Sequence, residues 1–122
     1  MSLQQRLVAA GIPATAAAAI QGTVQSGLTA AGTTQATAAI IPADVNMFGT
    51  VASGAGAILP AMNPGDDITV FNGGANALKL YPPVGAVINA LSTNGAYSIA
   101  TTTPLCFVQC VGPLQYLANQ AA

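Results

Sequence analysis

The sequence predicts an all-β protein: a compact antiparallel β-sandwich or barrel of about 7–9 short strands, preceded by a short helical N-terminal arm. Three observations carry this. From Ala36 onward, short apolar or alternating runs recur roughly every 8–12 residues, with turn signals between them. Residues 64–83 carry the pattern of a β-hairpin. The first 35 residues differ in kind, being rich in Ala at first and then in Gly, Thr, Gln and Ser. Two units follow, residues 1–35 as an arm with short Ala-rich helices and a linker, and residues 36–122 as the β-domain.

In the arm, Ser2 and Gln5 fit a capping box with Ser2 as the N-cap. Leu3 and Leu7 sit one helical turn apart with Val8 beside them, and Gly11 supplies a stop. Pro13 can open a second helix through Ala16 and Ile20, ended near Gly22. Helices this short are marginal alone in water, so they need a surface, either a partner's or their own domain's. Residues 22–35 read as a loose connection.

In the β-domain, strands are expected over residues 36–41, 45–51 and 57–59, stopped at Pro42, Ser53–Gly56 and Pro60. The hairpin pairs 67–72 with 77–81 across Gly73-Gly74-Ala75-Asn76, and Pro82-Pro83 ends it. Residues 85–91 and 96–100 flank Asn94-Gly95, a strong hairpin signal. Residues 105–111 form the clearest strand, and 114–118 close the set.

Composition limits function. The chain is 52% hydrophobic but only 4% charged and 5% aromatic; a soluble domain averages about 25% charged residues. The charged side chains are Arg6, Asp44, Asp66, Asp67 and Lys79, with a formal net charge of −1. So little charge suits a surface covered by copies of itself or by another protein, rather than a neutral, Thr/Asn-coated monomer. Two cations cannot neutralise the phosphates of a nucleic acid or hold a membrane surface, so neither is expected as a partner. No apolar run approaches the roughly 18–20 residues of a spanning helix. The N-terminus imitates a secretory signal, but Gln4, Gln5, Pro13 and Thr15 break the pattern, and it is taken as a mature segment.

Candidate chemistry is sparse. Cys106 and Cys110 share one strand face, their Cα atoms roughly 13 Å apart in a regular strand, whereas a disulfide needs less than about 7 Å. Free buried thiols are expected, with an intersubunit bridge as the alternative. Asp66 and Asp67 point to opposite faces of an extended segment; Asp66 is expected to accept from turn amides, and a calcium site has too few carboxylates nearby. With no His, neither a Ser–His–Asp nor a Cys–His arrangement is possible. Gly54-Ala55-Gly56 lacks the lysine of a phosphate loop. Tyr81, Tyr97 and Tyr116 belong either to a core or interface or to a carbohydrate-binding surface. No catalytic, cofactor-binding or metal residues are assigned, and an enzyme is not expected.

The run Gly27-Leu28-Thr29-Ala30-Ala31-Gly32-Thr33-Thr34-Gln35-Ala36-Thr37-Ala38 resembles the opening of a group of small phage and prophage proteins. So does residues 64–91, from Pro64-Gly65-Asp66-Asp67-Ile68-Thr69-Val70-Phe71-Asn72 through Tyr81-Pro82-Pro83. These β-rich modules occur among the virion structural proteins of tailed bacteriophages, and the resemblance spans about three quarters of the chain. It implies a virion component whose β-domain works as a symmetric oligomer, and no catalytic residues. A strand ending in Trp is common in that group; here Tyr116 holds the place, so aromatic contacts there are not carried over.

The expectation is therefore a capsid decoration (cement) protein, a homotrimer on the outer surface of the head that binds the major capsid protein. Leu3, Leu7, Val8, Ile12 and Ile20 are the expected capsid-anchoring arm residues. The alternative is a head-fibre or tail-fibre receptor-binding module that recognises a host surface glycan.

Overall fold

The computed structural model describes residues 3–11, 13 and 22–121. Helix α1 (Leu3–Ala9) comes first. It ends as its sequence dictates: Ala10 N donates to Arg6 O and Gly11 N to Val8 O, and Gly11 takes φ 99°. Ten strands follow among the described residues: β1 (Val24–Thr29), β2 (Ala39–Ile40), β3 (Val45–Thr50), β4 (Gly56–Ile58), β5 (Asp67–Asn72), β6 (Leu78–Tyr81), β7 (Val87–Ile88), β8 (Tyr97–Ile99), β9 (Leu105–Gly112) and β10 (Gln115–Ala121).

The fold is all-β and has two sheets. One runs β1-β3-β5-β9-β10-β7 and the other β2-β4-β6-β8. The chain changes sheet at every step from β1 to β9. Consequently β1, β3 and β5 stack in parallel, with Val24, Val45 and Thr69 side by side, and β2, β4 and β6 do the same in the other sheet. Only β5–β9, β9–β10 and β6–β8 are antiparallel, while β7 lies parallel to β10. The antiparallel expectation is thus corrected for five of the eight pairings.

The expected hairpin over residues 67–81 is corrected with it: β5 and β6 are well-formed strands in different sheets. The Gly-Gly turn carries the chain between layers instead of reversing it within one. Gly73 N donates to Phe48 O of β3 at 2.7 Å. A Cβ on Gly74 would stand 2.7 Å from Val51, so only glycine lets the arch lie this close. Buried Asn72 completes the arch, its Nδ2 donating to Asn76 O and Ile99 O and its Oδ1 accepting from Gly74 N. Asn94-Gly95 also forms a turn, Gly95 N to Ser92 O, but again between strands of different sheets.

Strand β1 occupies what the sequence suggested was a linker. It is held by its ladder to β3 and is almost wholly exposed; only Leu28 packs on the core. The expected strand over 36–41 is instead a 3-10 turn, Gln35–Thr37, followed by the two-residue β2. Thr34 and Thr37 bond each other's side chains and backbone there, which favours the turn.

Both sheets contribute to a single core cluster. Phe48, Ile68, Val70, Cys106, Val108 and Tyr116 come from one sheet; Ala57, Leu78, Leu80 and Ile99 come from the other. On the opposite face of the larger sheet, register aligns Val24, Val45, Thr69, Phe107 and Asn119 in one row. Met47, Phe71, Leu105 and Ala121 form the next.

Replacing Asn72 with Ala strands three partners, buried Ile99 O and the part-buried Asn76 O and Gly74 N. Urea denaturation should show a loss of about 2–4 kcal/mol. The exposed Asn119→Ala should stay within about 0.5 kcal/mol of the parent.

Candidate functional site

The N-terminal root of the β-body, at Thr23, stands over a cleft. The β-body begins just after Thr23, and Thr23 is clamped to Asp44, the residue before β3. Thr23 N donates to Asp44 Oδ2 at 2.8 Å and the Thr23 hydroxyl to the same oxygen at 3.2 Å. In return Asp44 N lies 3.2 Å from Thr23 Oγ1. Asp44 O accepts from Thr69 N and Thr23 O from Val45 N, so the clamp joins the ladder of β1, β3 and β5. Asn46, fully buried, fixes the turn before β3 by bonding both Ala43 N and Ala43 O.

The cleft has a volume of about 470 Å³ and lies between this root and the turn before β5. All three carboxylates of the chain, Asp44, Asp66 and Asp67, line it. Two are spent on backbone amides. Asp66 Oδ2 accepts from Asn63 N at 2.9 Å, as its turn position implies. The turn is tied to β9 by Gly65 N to Cys110 O and Cys110 N to Asp66 O. Among the described residues, no three His, Cys, Asp or Glu side chains group so as to hold a metal ion.

The arm residues are placed only in part. Leu3, Leu7 and Val8 lie on α1, where Arg6 and Val8 are exposed. Ile12, Ile20 and the second Ala-rich helix fall outside the described residues, as do the side chains of Leu3 and Leu7. Thr23 and Asp44 were not singled out by the sequence. Asp44 sits in a Pro-Ala-Asp turn, and nothing local marks a partner 21 residues away.

The three tyrosines are committed internally. Tyr116 is buried, and its hydroxyl accepts from Met62 N at 3.3 Å. Tyr81 is buried and donates to Thr33 O; half-buried Tyr97 accepts from Gln120 Nε2. Both cysteines are free and buried in the core cluster, which leaves neither sulfur open to a second copy. Cys110 Sγ lies within hydrogen-bonding range of Met62 O and Gly112 O. Burial pushes the Cys106 thiol from 9.0 up to about 11, against a smaller opposing effect of a backbone hydrogen bond from Asn119. Burial also raises Tyr116 above its usual 10.0.

No family model matches the chain, and no curated protein or solved structure matches it.

Asp44→Ala should cost about 1 kcal/mol in urea denaturation, the scale of a lost hydrogen bond. It should also let thermolysin cut the arm root sooner than in the parent. The buried thiol sets a pH dependence. Because the folded state holds Cys106 as the thiol, its contribution is complete below pH 9.0 and is lost as pH rises towards about 11. Urea midpoints should therefore fall across that window, and a Cys106→Ala variant should fall less.

Proposed function

We propose that this chain is a bacteriophage capsid decoration (cement) protein. The β-domain, a compact two-layer sandwich, sits as a homotrimer on the outer surface of the head. The N-terminal arm reaches onto neighbouring major capsid protein subunits. The observation that carries the proposal is the arm's attachment: a short helix with Val8 exposed, followed by a root clamped by Thr23 and Asp44 into the largest sheet. The resemblance of residues 27–38 and 64–91 to small virion proteins supports it.

The mechanism is mechanical. Leu3, Leu7, Val8, Ile12 and Ile20 bury apolar area on the shell, each contributing about 1.5–3 kcal/mol when fully covered. Load on the arm passes through the Thr23–Asp44 clamp into β3, which is paired on both sides, by β1 and β5. Several arms on one oligomer multiply the effect, since the second engages at high effective concentration. Apolar contacts of this kind depend little on salt.

The alternative, a fibre module that recognises a host glycan, would draw on Tyr and Asn residues near turns. Those side chains already have internal partners: the three tyrosine hydroxyls, and Asn76, Asn89 and Asn94 through Val51 O, Ala118 and Gly85 N.

Deleting residues 1–22 should leave a folded oligomer that no longer co-sediments with capsids, and Val8→Asp should weaken binding in the full chain. Retained binding by the deletion variant would refute the anchor. Mass spectrometry of purified virions should find hundreds of copies per particle, whereas a few dozen would move the protein to a vertex, fibre or tail.

A further inference from the structure

The outward face of the six-stranded sheet presents exposed apolar side chains among neutral polar ones. Met47 on β3, Phe107 and Val111 on β9, and Leu117 on β10 are 41%, 49%, 45% and 48% exposed. Strand alternation requires these positions to face away from the core, because Cys106, Val108 and Cys110 fill the inward positions of β9. Between them stand neutral Thr69, Gln109 and Asn119, and on β3, β5, β9 and β10 the only charged residue on this side is Asp67, the first residue of β5.

The size of the face is informative. Three outward positions on each of β1, β3 and β5 and four on each of β9 and β10, at about 4.8 Å by 6.8 Å apiece, give a projected area of roughly 550 Å². Protruding side chains make the accessible area larger than this projection. The largest apolar patch on a typical monomer is about 300–600 Å², and a specific interface takes about 800 Å² from each partner. The face as a whole therefore reaches the upper end of ordinary patches and approaches one side of an interface.

Charge indicates the occupant. An ionised group brought onto this face would lose water and meet almost no counter-charge, at a cost of several kcal/mol. Ordinary protein surfaces carry many such groups. A copy of this chain carries five charged side chains in all, and its own outward face has almost none.

We propose that the outward face of the six-stranded sheet, centred on Phe107 and Leu117, is the surface through which copies of this chain associate. This deepens the oligomer named under the proposed function by assigning its interface. Around a threefold axis, three such faces would enclose a common apolar interior.

The test is sedimentation velocity of the purified full chain without capsids, so it is independent of shell binding. The parent should sediment as an oligomer of the 11.9 kDa protomer. Phe107→Lys and Leu117→Lys should each raise the dissociation constant at least about 30-fold, the scale of an interface hot spot. Val84→Lys, at a residue 75% exposed outside the strands, should leave the oligomer intact. Continued protection of Cys106 and Cys110 from a thiol reagent establishes that each variant is folded. If Phe107→Lys fails to fold, Leu117→Lys decides. A monomeric parent would overturn the proposal, as would an oligomer that persists in a folded face variant. A monomeric parent whose face variants lose capsid binding would assign the face to the shell and overturn it equally. Loss of arm-dependent capsid binding with the oligomer intact would touch only the functional reading.

Discussion

The structure depends on neutral carboxamides that substitute for missing backbone partners. A chain that crosses between two sheets at almost every step breaks its ladder at every crossing. Each break leaves peptide groups near the core without a strand beside them, and an unpaired buried peptide group costs about 1–3 kcal/mol. Asparagine and glutamine fill these gaps, because a carboxamide carries the same donor and acceptor as a peptide bond. Asn89 is the clearest case: its Oδ1 accepts from Ala118 N and its Nδ2 donates to Ala118 O, extending the β10 edge by one residue's worth of ladder. Asn46 does the same for Ala43. Gln120 engages four groups at once, Ala100 N, Thr103 Oγ1, Tyr97 OH and Ser98 O, and so links the end of β10 to the segment around β8. Among the described residues no buried side-chain nitrogen or oxygen lacks a partner.

This explains why the fold was only half legible. Strand positions follow from alternation and turn residues, and these are local. β5 has the expected bounds, and β9 shows the expected division, with Cys106, Val108 and Cys110 inside and Phe107, Gln109 and Val111 outside. Pairing direction is not local. Alternation with period two says which face a residue takes, not which strand lies beside it. Gly73-Gly74 would serve a hairpin or an arch equally well; the arch is held here by Asn72 within the turn and by Phe48 O and Val51 O from outside it. β1 was missed for a related reason. It is stabilised by its ladder and buries little, so it leaves almost no hydrophobic pattern to detect.

The arm root shows the same limit. Helix α1 is read from its own residues, since paired leucines and a terminal glycine lie within one short stretch. The clamp that secures it joins two turns, and only the parallel stacking of β1 on β3 brings Thr23 to Asp44. The carboxylates, scarce in the chain, were the natural candidates for chemistry. Asp66 accepts from a turn amide as its position implies, and Asp44 accepts from Thr23 N, the same role that the carboxamides play elsewhere.

The use of neutral polar groups inside also bears on the outside. A typical domain keeps its interior apolar and its surface charged, and its charges keep it soluble and apart from its neighbours. Here the polar capacity is drawn inward to repair the crossings, and half-exposed Phe107, Leu117, Val111 and Met47 are left on a broad sheet face. On β3, β5, β9 and β10 the one charge on that side is Asp67, at the edge of β5. The free energy withheld within one copy is then available between copies. Under the association proposed above, the ladders of this fold close within one chain and its outward sheet face closes against a second.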